Sequence, residues 1–246
     1  MVGTVGLWAA LLVMGSPGPV TLPGIAYFVL AGLIGTVAGR LLRFVAIEKV
    51  GAAVTAALTN LYPFISAGLA ILLLGERVTL AIVAGTTVIV AGTILLSTSG
   101  RLVGFRPIQL LYPLLSATCF GLVAILRKLG LGGAGPLLGF TVNVTTALVA
   151  FTAFLLVSGQ LRTLSCRRRS LAYFVAAGVA ENAGVYAAVL ALSVGTVSVV
   201  APLSGASPLF VLAMSFLFLR GVERLTARVV IGTLLIVLGV YLITAL

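Results

Sequence analysis

Few side chains in this sequence could do chemistry, and they stand out because almost everything around them is apolar. Glu181 and Asn182 interrupt "AAGVAENAGVYAA", with Tyr186 one turn beyond Asn182. Arg40 and Arg43 lie a turn apart on one helical face in "AGRLLRF". Asn60, Tyr62 and Pro63 follow in "TNLYPF", and Ser204, Ser207 and Pro208 in "LSGASPLF". A guanidinium can clamp a carboxylate or phosphate through its planar fork. A carboxyl inside an apolar run can load and release a proton, whereas a neighbouring guanidinium would hold it ionised. Hydroxyls and amides beside a proline suit a polar solute. The chain has no His and no Asp, and its four carboxylates do not pair. Acid–base and metal catalysis therefore lack their parts, and the expectation is no catalytic residue, no metal site and no cofactor. Cys119 lies in an apolar run and Cys166 in a basic loop, so no disulfide framework is implied.

These groups must be positioned by elements that live in lipid. Of 246 residues, 61% are apolar and 8% charged, and mean hydropathy is +1.32. A water-soluble domain carries roughly 25% charge. Apolar runs of about twenty residues recur, each long enough for a hydrocarbon core of about 30 Å. They lack the alternation of membrane strands. The expectation is an all-α polytopic membrane protein with about nine transmembrane helices, near 1–15, 23–47, 50–74, 79–98, 107–128, 136–158, 171–193, 195–219 and 226–246. The first could also be read as a signal peptide, but it has no basic leading region. Twenty-nine glycines fit helices that approach closely in lipid.

The net charge of +11 does not argue for nucleic acid, because thirteen Arg and two Lys are scattered at helix ends. Loops on the N-terminal side carry Lys49, Arg101, Arg106, Arg162, Arg167, Arg168, Arg169, Arg220, Arg224 and Arg228; the other side carries Arg77, Arg127 and Lys128. The positive-inside rule then puts the N-terminal side in the cytoplasm.

The chain also repeats itself. "ERVTLAIVAGTTVIVAGTILL" from Glu76 aligns with "ERLTARVVIGTLLIVLGVYLI" from Glu223, and ten of the 21 positions are identical. Gly85 meets Gly232 and Gly92 meets Gly239. Pro63 meets Pro208, and "AYFVLAGL" at 26–33 meets "AYFVAAGV" at 172–179. The period is about 146 residues. This divides the chain into a first repeat of four helices (1–98), a linker (99–106) and a second repeat of five (107–246). The first helix of repeat one is absent. Five-helix units have opposite orientations in the membrane, the plan of many secondary transporters.

A proline within an apolar helix, then "LLLGERVT", then the glycine-spaced "GTTVIVAGTILL", all written twice, resembles the EamA family of the drug/metabolite transporter superfamily. The resemblance covers nearly the whole chain. It implies ten helices in two inverted repeats, a central cavity, and export or uptake of small metabolites across the cell membrane; this chain departs in lacking the first helix.

Charge within a span costs about 2.5–3.5 kcal/mol, so each polar group has two readings. Arg40 either snorkels to the headgroups, faces a cavity, or pairs with Glu181. Glu181 is either an interhelical partner or a substrate or proton site. Pro63 and Pro208 are either packing kinks or cavity-lining bends. Asn143 reads as an interhelical contact, and Glu76 and Glu223 as acceptors for N–H groups opening the next helix. The candidate substrate-binding or coupling residues are thus Arg40, Asn60, Tyr62, Glu181, Asn182, Tyr186, Ser204 and Ser207, expected to converge near the midplane. The partners are the lipid bilayer and a small molecule, anionic if Arg40 is unneutralised and zwitterionic if it is not. The rival expectation is a non-transporting scaffold or subunit, or a transporter truncated at its N-terminus.

Overall fold

The computed structural model describes residues 2–15, 18–97, 106–159, 168–207, 209–210 and 227–245. These residues are helical almost throughout. The helices are α1 (Val2–Met14), α2 (Leu22–Ala31), α3 (Arg40–Val50), α4 (Ala52–Thr59), α5 (Tyr62–Leu74), α6 (Leu80–Ser97), α7 (Leu111–Leu131), α8 (Pro136–Val157), α9 (Arg168–Val194), α10 (Val197–Ser204) and α11 (Ala227–Thr244). A π-helical stretch, Gly32–Gly39, joins α2 to α3. Five spans are long and apolar enough to cross a membrane: Leu22–Val50, Val54–Leu74, Pro107–Leu131, Pro136–Val157 and Ser170–Val194. Gly3–Met14, Leu80–Leu96 and Val229–Thr244 are shorter apolar helices.

The helices gather into two compact units, and each draws on both halves of the sequence. One comprises Met1–Ala38 and Leu126–Val194; the other comprises Gly39–Ile125 and Gly195–Leu246.

The core of the first unit forms around Phe28, which is fully buried with Ala134, Phe140 and Val189. Its ring lies so closely against the backbone of Gly139 that a side chain there would displace it. Thr21 sets the start of α2. Its hydroxyl accepts the Gly24 N–H (3.2 Å) and donates to Gly133 O (3.0 Å), while its own N–H also donates to Gly133 O (2.7 Å). An N-cap is thereby shared with the turn between α7 and α8. Trp8 of α1 donates its indole N–H to Thr145 Oγ1 of α8 at 3.0 Å.

In the second unit, α6 and α11 are in antiparallel contact along matched glycines. A methyl on Gly85 would stand 2.8 Å from Gly239 O, and one on Gly239 would stand 2.7 Å from Gly85 O. Gly92 and Gly232 face each other in the same way, at 2.7 and 3.0 Å. Glycines seven apart share one helical face. In lipid, such stripes let backbones approach and gain dispersion contacts where no hydrophobic drive exists. Ile89 and Ile236 are buried beside them.

Candidate substrate site at paired helix breaks

The second unit holds two interrupted helices in contact. The first break separates α4 from α5 at Asn60–Leu61, just ahead of Pro63. Pro63 has no N–H to give to Thr59 O, so the α-helical ladder cannot run through. Instead Leu61 N–H turns to Leu58 O (3.2 Å), and Phe64 N–H to Leu61 O (3.1 Å). The second break ends α10 at Gly205–Ala206. Pro202 lies inside α10, and Ala206 N–H turns to Leu203 O at 3.1 Å. The breaks meet: Tyr62 donates its hydroxyl to Ala201 O at 3.0 Å, and a methyl on Gly205 would stand 3.6 Å from Pro63 Cγ.

The start of α10 is held by a carboxylate from far along the chain. Glu76 accepts the Val197 N–H (2.8 Å) through one oxygen and the Ser198 N–H (3.0 Å) through the other. It neutralises two of the four donors that a helix N-terminus leaves open and complements its dipole. This corrects the expectation for Glu76 in one respect. The helix it caps is not the next one, α6. Gly75, at φ 65°, turns the chain out of α5, and at α6 the Thr79 hydroxyl accepts the Ile82 N–H (3.4 Å). Glu76 is left to reach across.

The EamA-like transporter family model matches residues 1–98 and 107–245. The chain belongs to that family. One solved crystal structure superposes on this EamA-like chain with a TM-score of 0.83 at 21% identity, covering 99% of this chain and 83% of that one. At that identity the likeness speaks for the fold. No curated protein matches by sequence. Family membership and the apolar helices make this a multi-pass membrane protein.

The EamA-like chain distributes its sequence-predicted residues between the two units. Asn60 and Tyr62 stand at the first break, both half-buried. Ser204 ends α10 and gives its hydroxyl to Val200 O at 2.9 Å. Ser207 lies exposed just past the second break. Pro208 and Glu223 lie outside the described residues. Arg40 opens α3, exposed and engaged, in the second unit. Glu181, also exposed and engaged, belongs to the first unit with Asn182 and Tyr186. The Asn182 amide donates to Gly178 O of its own helix (2.7 Å) and lies against Gly3 of α1. Tyr186 stacks on Phe140, with ring centroids 5.7 Å apart.

Arg127 and Lys128, expected as loop charges, lie within α7, which continues to Leu131. Helical side chains point back toward the N-terminus. Arg127 therefore turns inward and donates from Nη2 to Asn143 Oδ1 of α8 at 2.9 Å. Asn143 is 1% exposed. Lys128 donates to Leu192 O (2.8 Å) in the last turn of α9, where carbonyls lack helical partners. The interhelical contact expected of Asn143 is made, with Arg127 as its partner. Among the described residues, no three of His, Cys, Asp and Glu gather at one place.

Proposed function

We propose that this protein is a secondary transporter that moves a small organic solute across the cell membrane by alternating access, with the paired helix breaks as its working centre. The observation that carries this reading is the contact of two interrupted helices, one from each half of the sequence, through Tyr62 and Ala201 (3.0 Å). Discontinuous helices place unsatisfied backbone and small polar groups at membrane depth, tolerable only where they are repacked or line a cavity. Transporters use them as solute sites.

Two further observations support inverted repeats of four and five helices. The family model matches in two segments separated at 99–106. The α6–α11 contact is reciprocal: Gly85 aligns with Gly232 and Gly92 with Gly239, and the contacts run Gly85 to Gly239 and Gly92 to Gly232. A two-fold operation exchanging the repeats maps that contact onto itself. The charge bias puts the N-terminal side of the loops in the cytoplasm.

The test is solute flux into proteoliposomes from a panel of carboxylates, phosphates and zwitterionic amino acids. One class should accumulate above empty vesicles. Tyr62→Phe, which removes the hydroxyl bridge between the breaks, should slow that flux about tenfold, the consequence of losing one hydrogen bond of about 1.4 kcal/mol in one of the exchanging states. Preference for carboxylates and phosphates would fit an unneutralised Arg40, and preference for zwitterions a neutralised one. Flux no greater than empty vesicles for every class would leave the scaffold alternative in its place.

A further inference from the structure

Thr59 is buried without using the back-bond that several other helical threonines make. Thr55 donates its hydroxyl to Gly51 O, Thr86 to Ile82 O, Thr141 to Leu137 O and Thr233 to Val229 O, each one turn back. Thr59 has Thr55 O in the same relation and does not use it. It is 5% exposed, and its hydroxyl has no hydrogen-bond partner. Thr4 is likewise buried and unpartnered, but it sits in the first turn of α1, where no carbonyl lies a turn back within the helix. Asn60 follows Thr59, and its half-buried amide makes no hydrogen bond among the described residues.

Among the described residues, backbone oxygens at the same place lack donors for covalent and geometric reasons. Pro63 offers no N–H to Thr59 O. Phe64 and Ile65 both give their N–H to Leu61 O, so neither serves Asn60 O. In α10, Ala206 N–H goes to Leu203 O and Gly205 N–H to Ala201 O, which leaves Pro202 O outside the ladder. These oxygens stand at the C-terminal ends of α4 and α10, the negative ends of the helix dipoles. The Tyr62–Ala201 bond and the Pro63–Gly205 contact bring the start of α5, one turn past the end of α4, against the end of α10.

We propose that the paired breaks hold one alkali-metal cation, with Thr59 Oγ1, the Asn60 amide oxygen and the carbonyls of Thr59 and Pro202 as its ligands. A hard cation takes oxygen ligands. Neutral oxygens at unwound backbone and half-helix C-termini hold sodium in transporters built on broken helices, whereas tight divalent sites draw on carboxylates, and none belongs to this set. The inference deepens the transporter reading by naming a coupling ion at its working centre, and it rests on that reading for the ion's role but not for its binding.

Binding is measured on the full chain in detergent, as the thermal midpoint in sodium chloride against N-methyl-D-glucamine chloride at equal ionic strength. At about ten times its dissociation constant, sodium should raise Tm by about 3–5 °C. Thr59→Val, which keeps the shape and removes the oxygen, should abolish the shift, and Thr59→Ser should retain it. Asn60→Ala should weaken it and serves if Thr59→Val does not fold. Equal midpoints in the two salts for the unmodified protein would overturn the proposal. So would a full sodium shift in both Thr59→Val and Asn60→Ala. Flux that continues in sodium-free medium, together with equal midpoints, removes the ion and leaves the transporter. A sodium shift in protein that moves no solute keeps the ion and removes the transporter.

Discussion

The sequence writes Ala-Tyr-Phe-Val twice, once in α2 and once in α9, and the two copies meet opposite fates. Phe28 is fully buried, while Phe174 is 67% exposed. Gly32, four residues after Phe28, is crowded: a methyl there would stand 2.6 Å from Asn143 O. Its counterpart Gly178 has open space around it. Both copies are helical, as four identical residues followed by similar apolar ones should be. Burial differs because burial is a property of neighbours. Gly139 of α8 and Gly130 at the end of α7 lie against the Phe28 ring. For Pro107–Leu131, the span containing α7, 33% of the apolar window is buried, against 11% for Ser170–Val194 in α9. Local sequence therefore decides secondary structure here, and glycines more than a hundred residues away decide which copy becomes core.

Truncating the two phenylalanines should separate the copies most sharply. Phe28→Ala should cost about 3 kcal/mol, the low end for a buried phenylalanine because the micelle is itself apolar. Phe174→Ala should cost only a few tenths of that. A thermal-unfolding series in detergent checks this, and equal losses would mean that the α9 copy is covered in the folded protein. Next is the amide that crowds Gly32. Asn143→Ala removes the acceptor of the Arg127 guanidinium (2.9 Å) and should cost about 2 kcal/mol, as for a hydrogen bond to a charged group. Asn182→Ala, which loses a bond to its own helix and the packing of its amide against Gly3, should cost less than half as much. The smallest effect is also the most diagnostic, because its sign reverses. Gly32→Ala should destabilise by about 1 kcal/mol through overpacking. Gly178→Ala should stabilise by about 0.5–1 kcal/mol through helix propensity alone. The same sign at both positions would break the comparison.

The helices were legible in the sequence because lipid demands long apolar runs with satisfied backbones, a constraint that acts residue by residue. The expected run 23–47 appears as the span Leu22–Val50, and 136–158 as Pro136–Val157. The run 50–74 proved to be two helices, α4 and α5. A proline predicts a disturbed helix, but where the ladder gives way depends on which carbonyls find other donors. Site residues were less legible still. Asn60 and Tyr62 could be named from their place beside Pro63. Thr59 shares the Pro63 face, but that its hydroxyl would be buried without a partner could not be read from the sequence, since Thr55, one turn earlier, bonds back to its own helix.

By itself, the sequence determined that this chain lies in a membrane, is helical, and carries one pattern written twice, because hydropathy, helix breakers and repetition are all read along the chain. Only the tertiary structure decided that Glu76 caps α10 across 121 residues rather than α6, that Arg127 turns inward to Asn143, and that each compact unit draws on both halves. These are matters of which groups meet in space. A carboxylate or guanidinium carries no mark of its partner until packing brings one within about 3 Å.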